Sequence, residues 1–117
     1  MRLTENFVDN EFYCPCCRKQ EMTEEFLLQL QVLRTKCNFP FKINSGWRCE
    51  THNAKVSSSS RNQHTAGCAV DVSVKDRYKR ATLLEYALES RYFKDIAVDK
   101  TFIHLGKGNK NQGIGVY

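Results

Sequence analysis

Residues 68–74 read CAVDVSV, and this stretch determines how the fold is interpreted. Side chains alternate across a β-strand, so every second residue lies on the same face. One face of the predicted strand is apolar, and the other carries Asp71 between two small residues, Ala69 and Ser73. A carboxylate in the middle of a core strand is costly unless a metal or an arginine pairs with it. The predicted core face consists of Cys68, Val70, Val72 and Val74.

The segments around this strand mix helical and extended patterns. Thr23 is a predicted N-cap, and the apolar spacing after it predicts a helix over residues 24–37. A second long helix is predicted over 77–92, with Ala81, Leu84 and Leu88 on its apolar face. Because helices and strands follow one another without regular alternation, the fold class is α+β. The other expected elements are loop and short turns over 1–22, a short helix over 50–56, a flexible loop over 57–63, and strands over 41–45, 96–98, 102–105 and within 112–117.

Composition limits the classes of protein that the chain can represent. Its 117 residues favour one domain spanning 1–117, and no apolar run approaches membrane-spanning length. The first residues are polar and acidic, so we expect no secretory signal and synthesis in the cytoplasm. The net charge is +5. The basic residues are scattered, which favours a solvated surface over a nucleic-acid interface.

Six cysteines are many for a chain of this size, and three of them are crowded together: Cys14, Cys16 and Cys17. Without a secretory signal, reduced thiols are the default expectation. The spacing does not give two Cys-x-x-Cys pairs, so a four-cysteine zinc ribbon is not indicated. Cys14 with Cys17 remains one potential half-site for a metal, and the alternative interpretation is packed or free thiols.

The three histidines are ambiguous when each is considered alone. His104 shares a strand face with Phe102, a position that is more often a hydrogen-bonded core residue than a ligand. His64 lies in a polar segment typical of a surface loop. His52 falls in the predicted short helix, where we expect it on the surface.

Two motifs change this interpretation when they are taken together. Residues 64–71, HTAGCAVD, have the pattern His-x-x-Gly-x-Ala-x-Asp, and residues 43–53, INSGWRCETHN, precede them. With TFIHL at 101–105, this order and spacing resembles the zinc D-alanyl-D-alanine carboxypeptidase family. That family includes several phage endolysins and shares its fold with the hedgehog signalling domain. The resemblance covers nearly the whole chain and implies a small, mainly antiparallel sheet with helices packed on one side.

The resemblance also implies the site. His64, Asp71 and His104 would hold a zinc ion, whose fourth position is left to a water molecule that acts as the nucleophile. Arg48 and Ser45 would bind the substrate, with Arg48 on its terminal carboxylate or on the oxyanion. Gly67 would allow a close backbone turn next to His64.

Three positions depart from the family pattern. Asn62 stands where the family usually has serine. Gly106 stands where an aspartate often follows the last histidine, and it cannot supply a carboxylate to orient a ligand. Thr101 stands where many relatives have an acid, so the nearest upstream acid, Asp99, is the expected catalytic base. The alternative for Asp99 is a simple turn residue.

The predicted function is therefore a zinc metallopeptidase acting on peptidoglycan stem peptides. It would be a D-Ala-D-Ala carboxypeptidase or an L-Ala-D-Glu endopeptidase, encoded by a phage or acting in bacterial lysis, and a monomer. A non-catalytic zinc-containing binding module of the same fold is the first alternative, favoured by the missing acids at Thr101 and Gly106. A nucleic-acid-binding protein that uses the basic charge and the Cys14–Cys17 cluster is the second.

Overall fold

A computed structural model describes residues 1–56, 64–108 and 113–116. The predicted loop over 57–63, with Asn62, lies outside these ranges. Within them the chain forms three α-helices, a short 3-10 helix and five strands, which confirms the α+β class. The helices are α1 (Glu24–Cys37), α2 (Glu50–Val56) and α3 (Arg77–Ser90), and the 3-10 helix is Asp9–Phe12. The strands are β1 (Lys42–Ser45), β2 (Ala69–Ser73), β3 (Asp95–Val98), β4 (Phe102–Gly106) and β5 (Gly113–Val116).

The five strands form one sheet in the order β1-β2-β4-β3-β5. All neighbouring pairs are antiparallel except β3 with β5, which run parallel. The mainly antiparallel sheet that the family resemblance implied is therefore confirmed. Strands β2 and β4 lie side by side near the middle of the sheet, so that the two segments carrying Asp71 and His104 are neighbours.

Helix α1 follows its sequence prediction closely. The Thr23 side chain accepts a hydrogen bond from the Phe26 N–H, which satisfies one of the N–H groups left unpaired at a helix start. Asn38 ends the helix in the left-handed conformation (φ 59°), and Pro40 prevents its continuation. The predicted apolar positions are all buried: Phe26, Leu30, Leu33 and Cys37.

Helix α3 has the predicted location, but its most buried face is centred on other residues than predicted, although Leu84 and Leu88 still pack against the core. Leu83 and Ala87 are the fully buried residues, whereas Ala81 is exposed and Leu84 and Leu88 are half-buried. The helix turns about 100° per residue, so Leu83 and Leu84 cannot both face the core fully, and the structure buries Leu83 together with Ala87. The helix ends at Ser90 rather than at residue 92.

The core lies between α1, α3 and one face of the sheet. Val70 and Val72 of β2 belong to it, as predicted from their alternation with Asp71. Ile103 and Leu105 of β4 join them in the same cluster. The side chains that alternate with these residues belong to the other face of the sheet, where the polar groups gather. Among the described residues, no helix has the length and apolarity needed to cross a membrane.

Candidate metal centre

The centre begins at the pairing of β2 with β4. Asp71 and His104 are directly opposite in the antiparallel register, so their side chains lie on the same face. His104 Nδ1 is 2.9 Å from Asp71 Oδ1, and both residues are buried. The sequence pattern thus predicted the face of each residue, and the register brings the two side chains together.

His64 reaches the same point from a turn over residues 64–67. The Gly67 N–H donates to the His64 carbonyl at 3.2 Å, and Gly67 has a positive φ of 76°. This confirms the close turn expected at Gly67. The His64 ring lies 2.7 Å by Nδ1 from the Gly46 carbonyl oxygen, and its Nε2 lies 3.3 Å from Asp71 Oδ1. Since a carbonyl only accepts, Nδ1 carries the proton and Nε2 faces the carboxylate.

The charges of this cluster depend strongly on one another. Burial raises the pKa of Asp71, but the neighbouring imidazoles of His104 and His64 outweigh burial and lower the pKa to about 2. Burial lowers the pKa of His104, but the carboxylates of Asp71 and Asp95 outweigh it and raise the pKa to about 9. In the absence of a metal, the buried carboxylate therefore stays ionised, with a protonated imidazole as its partner.

Arg48 and Ser45 lie at the edge of this cluster. Arg48 Nη2 is 3.6 Å from Asp71 Oδ2, and Arg48 Nε donates to Ser45 Oγ at 3.2 Å. The Arg48 N–H also donates to the His64 carbonyl at 3.3 Å, which fixes the arginine backbone relative to the histidine. The structure thus brings five of the sequence-predicted residues together: Ser45, Arg48, His64, Asp71 and His104.

The donor set fits a zinc ion. His64, Asp71 and His104 each offer one ligand atom, and these atoms all lie within 4.8 Å of one another. Two imidazole nitrogens and one carboxylate oxygen are a donor set of catalytic zinc sites, which keep a further position open. Each ring also contacts an outer oxygen, Gly46 O for His64 and Asp95 for His104, the arrangement that orients zinc-binding histidines.

Asp95 is the residue of the candidate site that the sequence analysis does not include. Its Oδ2 lies 3.4 Å from His104 Nε2, and its partner across the β3–β4 pair is Gly106. A carboxylate beside the last histidine is therefore present, although it comes from the neighbouring strand instead of from position 106. Strand alternation would have placed Asp95 on the face of Ala97, which pairs with His104, but only the register reveals the contact.

Asp99 and His52 lie elsewhere. Asp99 is in the turn between β3 and β4, where its Oδ2 accepts hydrogen bonds from the Thr101 N–H at 3.2 Å and the Thr101 hydroxyl at 3.3 Å. This is the arrangement of a turn-forming aspartate. His52 is half-buried on α2, and it is not part of the His64–Asp71–His104 group.

The buried His–Asp–His group, with an arginine beside it, has the donor set of a zinc-dependent hydrolase. The comparisons with known proteins identify the family. A family model described as Peptidase M15 matches residues 5–106, most of the chain, and the chain therefore belongs to the Peptidase M15 family of zinc-dependent enzymes. This agrees, at the level of the family, with the resemblance carried by the two central motifs. The comparison with curated proteins found no match.

Proposed function

We propose that this protein hydrolyses peptidoglycan stem peptides, at the terminal D-Ala-D-Ala bond or at the internal L-Ala-D-Glu bond. The observation that carries the proposal is the position of Arg48, whose guanidinium borders the His64–Asp71–His104 triad. Both bonds lie next to a free carboxylate. In the first it is the C-terminus, and in the second it is the α-carboxylate that D-Glu keeps when the chain continues through its side chain. A planar guanidinium suits such a group.

Arg48 is held in a way that leaves it capacity for a substrate. Its 3.6 Å approach to Asp71 is longer than the 2.7–2.9 Å of a charge-assisted hydrogen bond, so the two side chains attract without a tight bidentate pair. Ser45 steadies the guanidinium through Nε. Among the contacts recorded for the described residues, only Nε and Nη2 are engaged, and Nη1 retains its two donors for a substrate oxygen.

The chain's other residues supply the remaining roles. A bound zinc ion would contribute Lewis acidity and activate water at the triad. Asp71 contributes the negative charge that the cation requires, and Asp95 holds the His104 ring in orientation. We retain Asp99 as the proposed proton acceptor. This role requires its carboxylate to exchange the Thr101 hydrogen bonds for contact with the reacting water.

The test is digestion of defined substrates by the zinc-loaded protein. The full chain is incubated with purified peptidoglycan and with a synthetic stem pentapeptide, and the products are identified by mass spectrometry. Released D-alanine or a cleaved L-Ala-D-Glu bond supports the proposal and distinguishes the two reactions. The His64→Ala and His104→Ala variants provide the metal-site control. Arg48→Lys keeps the positive charge but loses the planar fork, and should lower kcat/KM by about 10²-fold.

The Asp99→Asn variant separates an enzyme from a binding module. General acid–base groups contribute about 10²–10⁴-fold, so loss of turnover with retained zinc supports the role of Asp99. The proposed peptidase activity would be contradicted if the protein binds zinc but cleaves no wall peptide, and if the wild type and the Asp99→Asn variant bind those peptides equally well. That result would favour the non-catalytic binding module, which the Thr101–Asp99 hydrogen bonds and the absence of an acid at position 101 also favour.

A further inference from the structure

A second group of metal-binding side chains lies outside the triad and has no part in the proposed reaction. The sulfur atoms of Cys14, Cys17 and Cys49 all lie within 4.8 Å of one another, and those of Cys14 and Cys49 are 3.6 Å apart. Zinc–sulfur bonds of about 2.3 Å in tetrahedral geometry place two sulfurs about 3.8 Å apart. We propose that Cys14, Cys17 and Cys49 bind one structural zinc ion.

The backbone around Cys14 is folded as a site of this kind requires. The Cys14 N–H donates to the Lys19 carbonyl at 2.8 Å, and the Arg18 N–H donates to the Cys14 carbonyl at 2.7 Å. Arg18 has a positive φ of 56°, which closes the turn directly after Cys17. This turn brings the thiols of Cys14 and Cys17 close together, and the thiol of Cys49, from the segment before α2, lies beside them.

An amide group supports a negative sulfur atom in the cluster. The His52 N–H donates to Cys49 Sγ at 3.4 Å. Zinc binds the thiolate, and N–H donors to coordinating sulfur are a usual outer layer of such sites.

The other two explanations of the cluster account for it less well. A disulfide requires an S–S distance near 2.05 Å and joins sulfurs in pairs, so it would leave one of the three thiols over. Simple packing is illustrated by Cys37, which is buried among apolar residues and whose pKa burial raises to about 11. Cys14 belongs to the same apolar core, and Cys17 and Cys49 pack against it, but packing alone does not require three sulfur atoms to converge within 4.8 Å of one another. The exposed Cys16, on the same turn, or water can complete the tetrahedron.

This second ion would connect the N-terminal segment to the substrate side of the first site. Cys49 directly follows Arg48, the residue that borders the triad. The Trp47 N–H donates to the Phe12 carbonyl at 3.0 Å, so two attachments to the N-terminal segment flank Arg48. A metal bound by Cys14 and Cys49 would therefore brace Arg48 through its C-terminal neighbour in the chain.

The experiment is a zinc count per chain for matched variants of the full protein. We expect two zinc ions in the wild type and one in Cys14→Ser, Cys17→Ser or Cys49→Ser. The His104→Ala variant should also hold one, because it loses the other ion. Cys37→Ser and Cys68→Ser are the matched controls and should keep two. A wild type with a single zinc ion that only His104→Ala removes would overturn the inference.

A cobalt titration keeps the inference testable if the cysteine variants fail to fold. Co²⁺ added to the His64→Ala/His104→Ala double variant should give the intense near-ultraviolet absorption of thiolate-to-cobalt charge transfer. Absence of that absorption, or an intact mass lower by two hydrogens that shows a native disulfide, would overturn the proposal. The outcome does not depend on the proposed function, since a protein with two zinc ions and no peptidase activity would contradict only the latter.

Discussion

His104 Nδ1 lies 2.9 Å from Asp71 Oδ1, across two strands that the antiparallel register pairs residue for residue. The same ring lies 3.4 Å by Nε2 from Asp95 on β3, which flanks β4 on the other side. His104 thus bridges a carboxylate in the candidate metal site and a carboxylate outside it. The sheet, rather than a loop, fixes this line of three side chains, which is the rigidity that a metal ligand requires.

Replacing Asp95 should weaken zinc binding without removing a ligand. The Asp95→Asn variant keeps the size of the side chain but loses the charge beside His104 Nε2. Outer carboxylates of this type typically contribute 10–100-fold to metal affinity. We expect a loss of zinc affinity of that size, measured by competition with a chelator of known affinity. The relevant ion is the one that the His104→Ala variant no longer binds.

The matched control is Asp99→Asn, in the turn of the same hairpin. Its carboxylate is hydrogen-bonded to Thr101, so zinc affinity should stay within about twofold of the wild type. Equal affinities of the Asp95→Asn variant and the wild type would contradict the role assigned to the His104–Asp95 contact.

Zinc binding at the triad should also compete with a proton. The pKa of His104 in the metal-free protein is about 9, so at pH 7 the imidazole is protonated and zinc must displace that proton. The pKa of Asp71 is about 2, and its carboxylate is already ionised at this pH. Apparent zinc affinity should therefore rise about tenfold from pH 7 to pH 8 and level off above pH 9.

This dependence is measured by chelator competition at a series of pH values, corrected for the proton affinity of the chelator. Asp95→Asn should shift the levelling-off to lower pH, because one of the two carboxylates that hold the proton on His104 is lost. An affinity that stays flat between pH 7 and pH 8 would show that His104 is not protonated in the metal-free protein.

Gly67→Ala should destabilise the fold and displace His64. A Cβ at this position would lie 2.1 Å from the Glu21 carbonyl oxygen, and the φ of 76° disfavours any residue with a side chain. Backbone cannot yield as a flexible side chain does, so we expect a loss of about 2–4 kcal/mol in the free energy of unfolding. Urea denaturation of the metal-free protein measures it.

Gly115→Ala is the comparison for this glycine. It lies in β5, and the nearest atom to an added Cβ is the Ile96 carbonyl oxygen at 4.0 Å, an ordinary contact distance. Its effect should stay within about 1 kcal/mol. Equal losses of unfolding free energy in the Gly67→Ala and Gly115→Ala variants would mean that the clash with Glu21 does not destabilise the turn.

Sequence alone predicted the parts of the structure that depend on local patterns. The α1 helix follows from Thr23 and the apolar spacing after it, and the two faces of β2 follow from alternation. The contact between Asp95 and His104 depends on the register of β3 with β4. The contact between Cys14 and Cys49 joins segments that are more than thirty residues apart in the chain. Local periodicity carries no information about such pairings, so the family pattern points to position 106 for the carboxylate beside His104 and gives no sign of the one on β3.

The apolar face of α3 shows a different limit and gives the last prediction. Leu83 and Leu84 are equally apolar neighbours, and the sequence pattern favoured the face of Leu84. The structure buries Leu83 completely and leaves Leu84 half-exposed. Leu83→Ala should therefore cost about 2–5 kcal/mol of unfolding free energy, through lost burial and the cavity that remains. Leu84→Ala, at the edge of the same helix, should cost less than half as much in the same urea titration. A larger loss at Leu84 than at Leu83 would contradict the burial of Leu83 and support the face that the sequence pattern predicts.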